Sequence, residues 1–126
     1  MNHALQEVDS CSSANLTPEY LRGVGRNILD SIPKTKINDY PAVLRVGQLF
    51  ELFLTGIEIA CRRSGGRIRS VDVMRAEMDE VYQCVADMKF VALTDFVFEV
   101  LPGQVRNCLD VLDAVEKHQN RRVEVA

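Results

Sequence analysis

Between Asp39 and Gly66 the chain carries one long amphipathic pattern, and no other stretch restricts the fold as much. Ala42, Val43, Val46, Leu49, Phe50, Phe53, Leu54, Ile57, Ala60 and Cys61 recur at three- and four-residue steps, the spacing of one helix face. Arg45, Gln48, Glu51, Thr55, Glu58 and Arg62 fall on the other side. Asp39 can cap the first turn, Pro41 stands where a missing N–H costs nothing, and Gly65-Gly66 suit a left-handed stop. At ~1.5 Å per residue the predicted helix is roughly 36 Å long. The neighbouring segments are short and can shield its middle but not both ends. The rest of the stripe is therefore expected to meet a second chain, since an uncovered stripe of this size invites association.

On either side the pattern is again helical. Thr17-Pro18-Glu19 supplies a cap, a first-turn proline and a first-turn acid. Leu21, Val24, Ile28, Leu29 and Ile32 then follow along one side until Pro33. Gly23 and Gly25 either mark a close backbone approach or weaken this helix by up to ~1 kcal/mol each; the second reading is preferred. Lys34 to Asn38 forms a loop, and a second runs from Ser64 to Arg69, with Ile68 as a candidate short strand. Val71, Met74, Met78, Val81, Tyr82, Val85 and Met88 predict a third helix. A further helix is predicted over Ala92–Leu101, stopped by Pro102-Gly103, and a last one carries Val105, Cys108, Leu109, Leu112 and Val115. The expected class is all-α, with residues 1–16 a polar, disordered tail, 17–102 the main domain, and 103–126 a C-terminal helix that frays from Gln119.

The remaining composition narrows the function. Cys11, Cys61, Cys84 and Cys108 are far apart and form no C-x-x-C or Cys/His cluster, so buried free thiols and a reducing compartment are expected. No basic region followed by an apolar core opens the chain, so no secretory signal is expected, and no run of ~18 apolar residues predicts a membrane span. The two histidines, His3 and His118, lie in the predicted tails. No P-loop and no Glu-x-x-His pair occurs. No catalytic residue, metal ligand or cofactor is therefore predicted, and the chain is not expected to be an enzyme.

Charge is unevenly spread although the net value is only −3. Ten cations face six acids between Thr17 and Arg75, whereas between Ala76 and Leu101 six acids face only Lys89. The cations gather at the two loops: Lys34 and Lys36 at the first, Arg62, Arg63, Arg67 and Arg69 at the second. Arg and Lys near helix ends and exposed N–H groups suit phosphate contact. Interleaved aromatics, which would suit single strands, are missing, so a duplex backbone is preferred.

A short-long-short series of helices with basic loops resembles the histone fold. Leu44 to Arg63 (LRVGQLFELFLTGIEIACRR) is similar to the central helix of the histone two-A-like branch. That branch includes the alpha subunit of negative cofactor two, the C subunit of the CCAAT-binding nuclear factor and small subunits of DNA polymerase epsilon. Arg45, Val46 and Phe50 match the branch's arginine-alanine…phenylalanine run with a shifted spacing. Arg69 to Ala76 resembles the start of its third helix, and Lys89 to Pro102 (KFVALTDFVFEVLP) the run that follows it. The loop threonine that partners an arginine in the family is missing.

The resemblance implies a nuclear histone-fold subunit, with one or two additional C-terminal helices, in a transcription-regulatory or chromatin complex. It would heterodimerise with a second histone-fold chain through Val46, Leu49, Phe50, Phe53, Leu54, Ile57, Met74 and Met78. It would hold double-stranded DNA by its phosphates through Lys34, Lys36, Arg62, Arg63, Arg67 and Arg69, with Arg22 and Arg26 secondary. A general transcription factor or a polymerase subunit would be a further companion. Alone, such a chain is expected to self-associate. The alternative is a small helical adaptor that binds a protein through its apolar helix face without nucleic acid.

Overall fold

The computed structural model describes residues 17–65 and 68–125, with side chains as far as Lys117. The predicted tail at 1–16 lies outside the described residues. Among the described residues no strand occurs: α1 spans Pro18–Ser31, α2 Tyr40–Arg63, α3 Arg69–Ala86, α4 Phe90–Asp95 and α5 Leu101–Val125. Ile68 is extended but serves only as the residue before α3. The all-α expectation holds.

The expected helix starts form as the residues dictate. Thr17 Oγ1 accepts from the Tyr20 N–H at 3.1 Å, and Asp39 Oδ1 from the Ala42 N–H at 3.2 Å, each satisfying a first-turn donor. At the far end of α2, Gly65 takes φ +86° and donates its N–H to the Arg62 carbonyl at 3.0 Å, as a left-handed stop requires.

Two boundaries differ from the sequence expectation. Pro102 does not end a helix: α4, a π turn over Phe96–Val100, and α5 form one continuous helical run. A proline inside a helix lacks the N–H and its ring clashes with the carbonyl four residues back. Here the turn before it is widened, with the Leu101 N–H reaching the Phe96 carbonyl five residues back, and the chain continues. A domain boundary at residue 102 therefore falls inside a continuous element. The last helix also runs through the segment expected to fray, as far as Val125.

That helix corrects the main packing expectation. α5 lies against both α1 and α2, while α3 and α4 cover α2 elsewhere. Leu101, Val105, Cys108 and Leu112 are fully buried in the same cluster as the α2 stripe. Phe50 packs its ring 6.3 Å from Phe53 and 6.1 Å from Phe96. Of the eight residues expected to form a dimer interface, Val46, Phe50, Phe53, Leu54, Ile57, Met74 and Met78 are buried within their own chain, and Leu49 is half-buried against the same core. The cover assigned to a partner comes from α5, whose apolar side is long enough to complete the shield. What α2 leaves to water is its polar stripe of Arg45, Gln48, Thr55 and Arg62, interrupted by Leu52.

Gly25 contributes to this closure. A Cβ there would stand 3.0 Å from Leu109 Cδ2 and 3.1 Å from Phe53 Cζ, whereas one at Gly23 would meet nothing. Close approach, the reading set aside for both glycines, is correct for Gly25.

Candidate interaction surfaces

Of the eight cations expected to contact DNA, the seven that lie among the described residues do not form one surface within the chain. Lys34 and Lys36 are exposed beside the start of α2; Arg62 and Arg63 lie in its last turn and Arg69 opens α3. The two groups stand roughly 36 Å apart along the helix, the length of its 24 residues. Arg67 lies outside the described residues. Arg26 is exposed on α1. Arg22 is engaged elsewhere: its guanidinium bonds Asp113 at 2.7 Å and also Glu116, joining α1 to α5. Those two carboxylates raise its pKa.

A second cation knits the fold in the same manner. Arg75 Nη2 donates to Glu58 Oε1 at 2.5 Å and to Thr55 Oγ1 at 2.9 Å, and Nη1 stands 3.7 Å from Glu51 Oε1. These bonds clamp α3 along the solvent edge of α2.

The perturbed titrating groups are set for packing. Burial pushes the Cys61 thiol up and the Cys108 thiol to about 12, and burial with the nearby Glu51 carboxylate raises the Tyr82 phenol. Cys108 Sγ lies 3.5 Å from Met74 Sδ inside the core. Thiols shifted this way stay protonated and are poor nucleophiles. Among the described residues no three His, Cys, Asp or Glu side chains converge as metal ligands. No described helix is long and apolar enough to cross a membrane.

Apolar side chains are exposed where the start of α2 meets the start of α4. Tyr40, the first residue of α2, places its ring 6.0 Å from Phe90, the first residue of α4. Around this pair, Met88 is 76% exposed, Val91 64%, and Ile37, in the adjoining loop, 65%. Single exposed apolar residues are ordinary, whereas a contiguous apolar patch is the usual mark of an interaction surface.

Met88 adds a conformational anomaly. It takes φ +63° directly after α3, donates its N–H to the Val85 carbonyl at 2.9 Å, and is followed by a bond from the Lys89 N–H to the Cys84 carbonyl at 2.7 Å. This is the paired-bond helix stop that usually holds glycine, and it costs a side-chain-bearing residue about 1–2 kcal/mol. The strained side chain packs against little, since most of it lies in water. Sequence periodicity hid this, because Met88 follows Val85 at a helical step and reads as one more core position. Only the flanking charges, Asp87 and Lys89, hinted that the helix had ended. No protein-family model, curated protein or solved structure matches this chain.

Proposed function

We propose that this chain is a non-catalytic protein-binding module that docks a partner through the apolar end formed by Ile37, Tyr40, Met88, Phe90 and Val91. The observation that carries the reading is the Tyr40–Phe90 ring pair with Met88 and Val91 left beside it in water. The reading keeps the adaptor alternative but moves its surface, because the apolar face of α2 is already spent on the intrachain core. Burying a few such side chains at about 1.5–3 kcal/mol each is enough for a specific contact. A photo-crosslinking residue at Val91 should capture one stoichiometric companion in cells, while the same residue at Gln48, on the polar stripe of α2, should not. Equal capture at both positions, or none at Val91, would remove the apolar end from the account.

A second reading rests on the exposure of Arg62, Arg63 and Arg69 around the α2–α3 junction. It retains DNA-backbone contact, nuclear residence and a transcription or chromatin role from the histone-fold resemblance. It gives up the shared helix stripe, because that stripe has no free face to offer. Its test is salt: retention on duplex DNA should fall steeply as salt rises, and Arg62→Glu with Arg69→Glu should flatten that slope. Retention that ignores both salt and the double variant counts against it.

A further inference from the structure

The methionines among the described residues meet two opposite environments. Met74 and Met78 are buried in the core, and Met74 Sδ stands 3.5 Å from Cys108 Sγ. Met88 is 76% exposed, just past the last turn of α3. A thioether needs no deprotonation to react with a peroxide, so access to the sulfur governs its rate, whereas a thiol reacts as its thiolate. The buried thiols of Cys61 and Cys108 stay protonated and do not compete.

The backbone makes position 88 an unexpected place for a side chain. Its φ is +63°, in the left-handed region that glycine enters freely and other residues enter against a steric clash. Burial offsets little of that strain, because most of the side chain is in water. Neither packing nor turn geometry accounts for a thioether here, and strain held at a surface residue points to what its side chain does there. What an exposed methionine offers, and a leucine or glycine does not, is an oxidisable sulfur.

We propose that Met88 is a redox modification site, converted by a peroxide to the sulfoxide and restored by reduction, without opening the core. The sulfur lone pair attacks one oxygen of the peroxide, and the S–O bond forms as the O–O bond breaks. With hydrogen peroxide the departing oxygen takes the proton of the transferred hydroxyl and leaves as water. The sulfur loses two electrons and the peroxide gains them. The new oxygen lies in solvent and displaces nothing, so the fold is kept, while the chain before Phe90 and Val91 becomes polar. The same oxygen on Met74 or Met78 would stand inside the core without a partner.

Dilute hydrogen peroxide on the full chain, with tandem mass spectrometry that places each added oxygen, tests this. Met88 should be oxidised about tenfold faster than Met74 or Met78. The Met88 sulfoxide form should keep the thermal transition of the untreated chain. Methionine sulfoxide reductases of both kinds, one for each sulfur epimer, should together remove the oxygen. Met88→Gln, a polar side chain of similar length, should also leave the transition in place, and Met74→Gln should lower it by several degrees. Equal rates at residues 74, 78 and 88 overturn the proposal. So does a Met88 sulfoxide or Met88→Gln chain that melts earlier, or an oxygen at Met88 that the reductases leave in place.

Discussion

The middle of α2 and the end where it begins are built from the same kinds of side chain and meet opposite fates. Around Phe50, Phe53, Leu54 and Ile57, helices α1, α3, α4 and α5 of the same chain close until these residues are almost wholly inaccessible. At Tyr40, three turns away, the cover runs out, and Phe90, Met88 and Val91 stand partly in water. The two regions differ in what lies opposite, not in their hydropathy. The middle faces the length of α5; the end faces the first turn of α4. A stripe of apolar residues tells where a cover is needed and is silent on who supplies it.

The sharpest way to break the comparison is to truncate one apolar side chain in each region. Phe53→Ala should cost about 3–5 kcal/mol in urea unfolding of the isolated chain, since the ring is buried between α1 and α5 partners and leaves a cavity. Val91→Ala should change stability by no more than about 0.5 kcal/mol. If the middle of α2 were instead waiting for a second chain, Phe53→Ala would cost the isolated chain little, and the contrast would vanish.

Alkaline unfolding probes the same seal by a different route. In the fold the Cys108 thiol is raised by burial from an ordinary 9.0 to about 12, so the folded state holds its proton where the unfolded chain has lost it. Stability contributed this way is intact below pH 9 and falls as pH rises toward 12. The slope is about 1.4 kcal/mol per pH unit for one proton. Cys61, raised in the same direction, adds to it. Cys108→Ala should lower the starting stability but flatten this part of the profile. An unchanged slope would mean that the core near Met74 admits water.

The two glycines of α1 sharpen the boundary between covered and open surface within a single turn. Gly23→Ala faces open space and should stabilise by up to about 1 kcal/mol through helix propensity. Gly25→Ala forces a methyl to within 3.0 Å of Leu109 and 3.1 Å of Phe53 and should destabilise by about 1 kcal/mol net. Equal effects would mean that α1 does not press on α5 and α2 as closely as the middle of the bundle requires.

Local chemistry made much of this fold legible from the residues alone. The caps at Thr17 and Asp39, the glycine stop at Gly65, the polar stripe of α2 and the all-helical class follow from side chains acting on their own turn. What stayed hidden depends on residues distant in the chain. Nothing within Leu101–Val115 announces that it will fill the side of α2 left open by its neighbours. Pro102-Gly103 argued for a break, and only the widened turn at Phe96–Val100 explains why none occurs. The basic loops were readable as basic, but their separation by the length of α2, and the capture of Arg22 by Asp113 and Glu116, are tertiary facts. The apolar end was not legible at all, because Tyr40 and Phe90 come together across fifty residues and Met88 keeps helical step with a stripe it does not join.

Met88 offers the finest test of the contrast, because α2 and α3 end in comparable left-handed turns and only one of them holds the residue that geometry favours. Gly65 adopts φ +86° without a side chain to clash, whereas Met88 adopts +63° with one. Replacing Met88 by glycine removes a strained side chain that buries little. The variant should gain about 1 kcal/mol in urea unfolding. If the strain is retained because the methionine is wanted at the surface, the same substitution should weaken capture of a companion at Val91 while strengthening the fold. Gly65→Met supplies the opposite control, losing a comparable stability with no effect on docking. A Met88→Gly protein that is more stable and binds as before would show that the turn is merely a local imperfection, and that Phe90 and Val91 carry the contact without it.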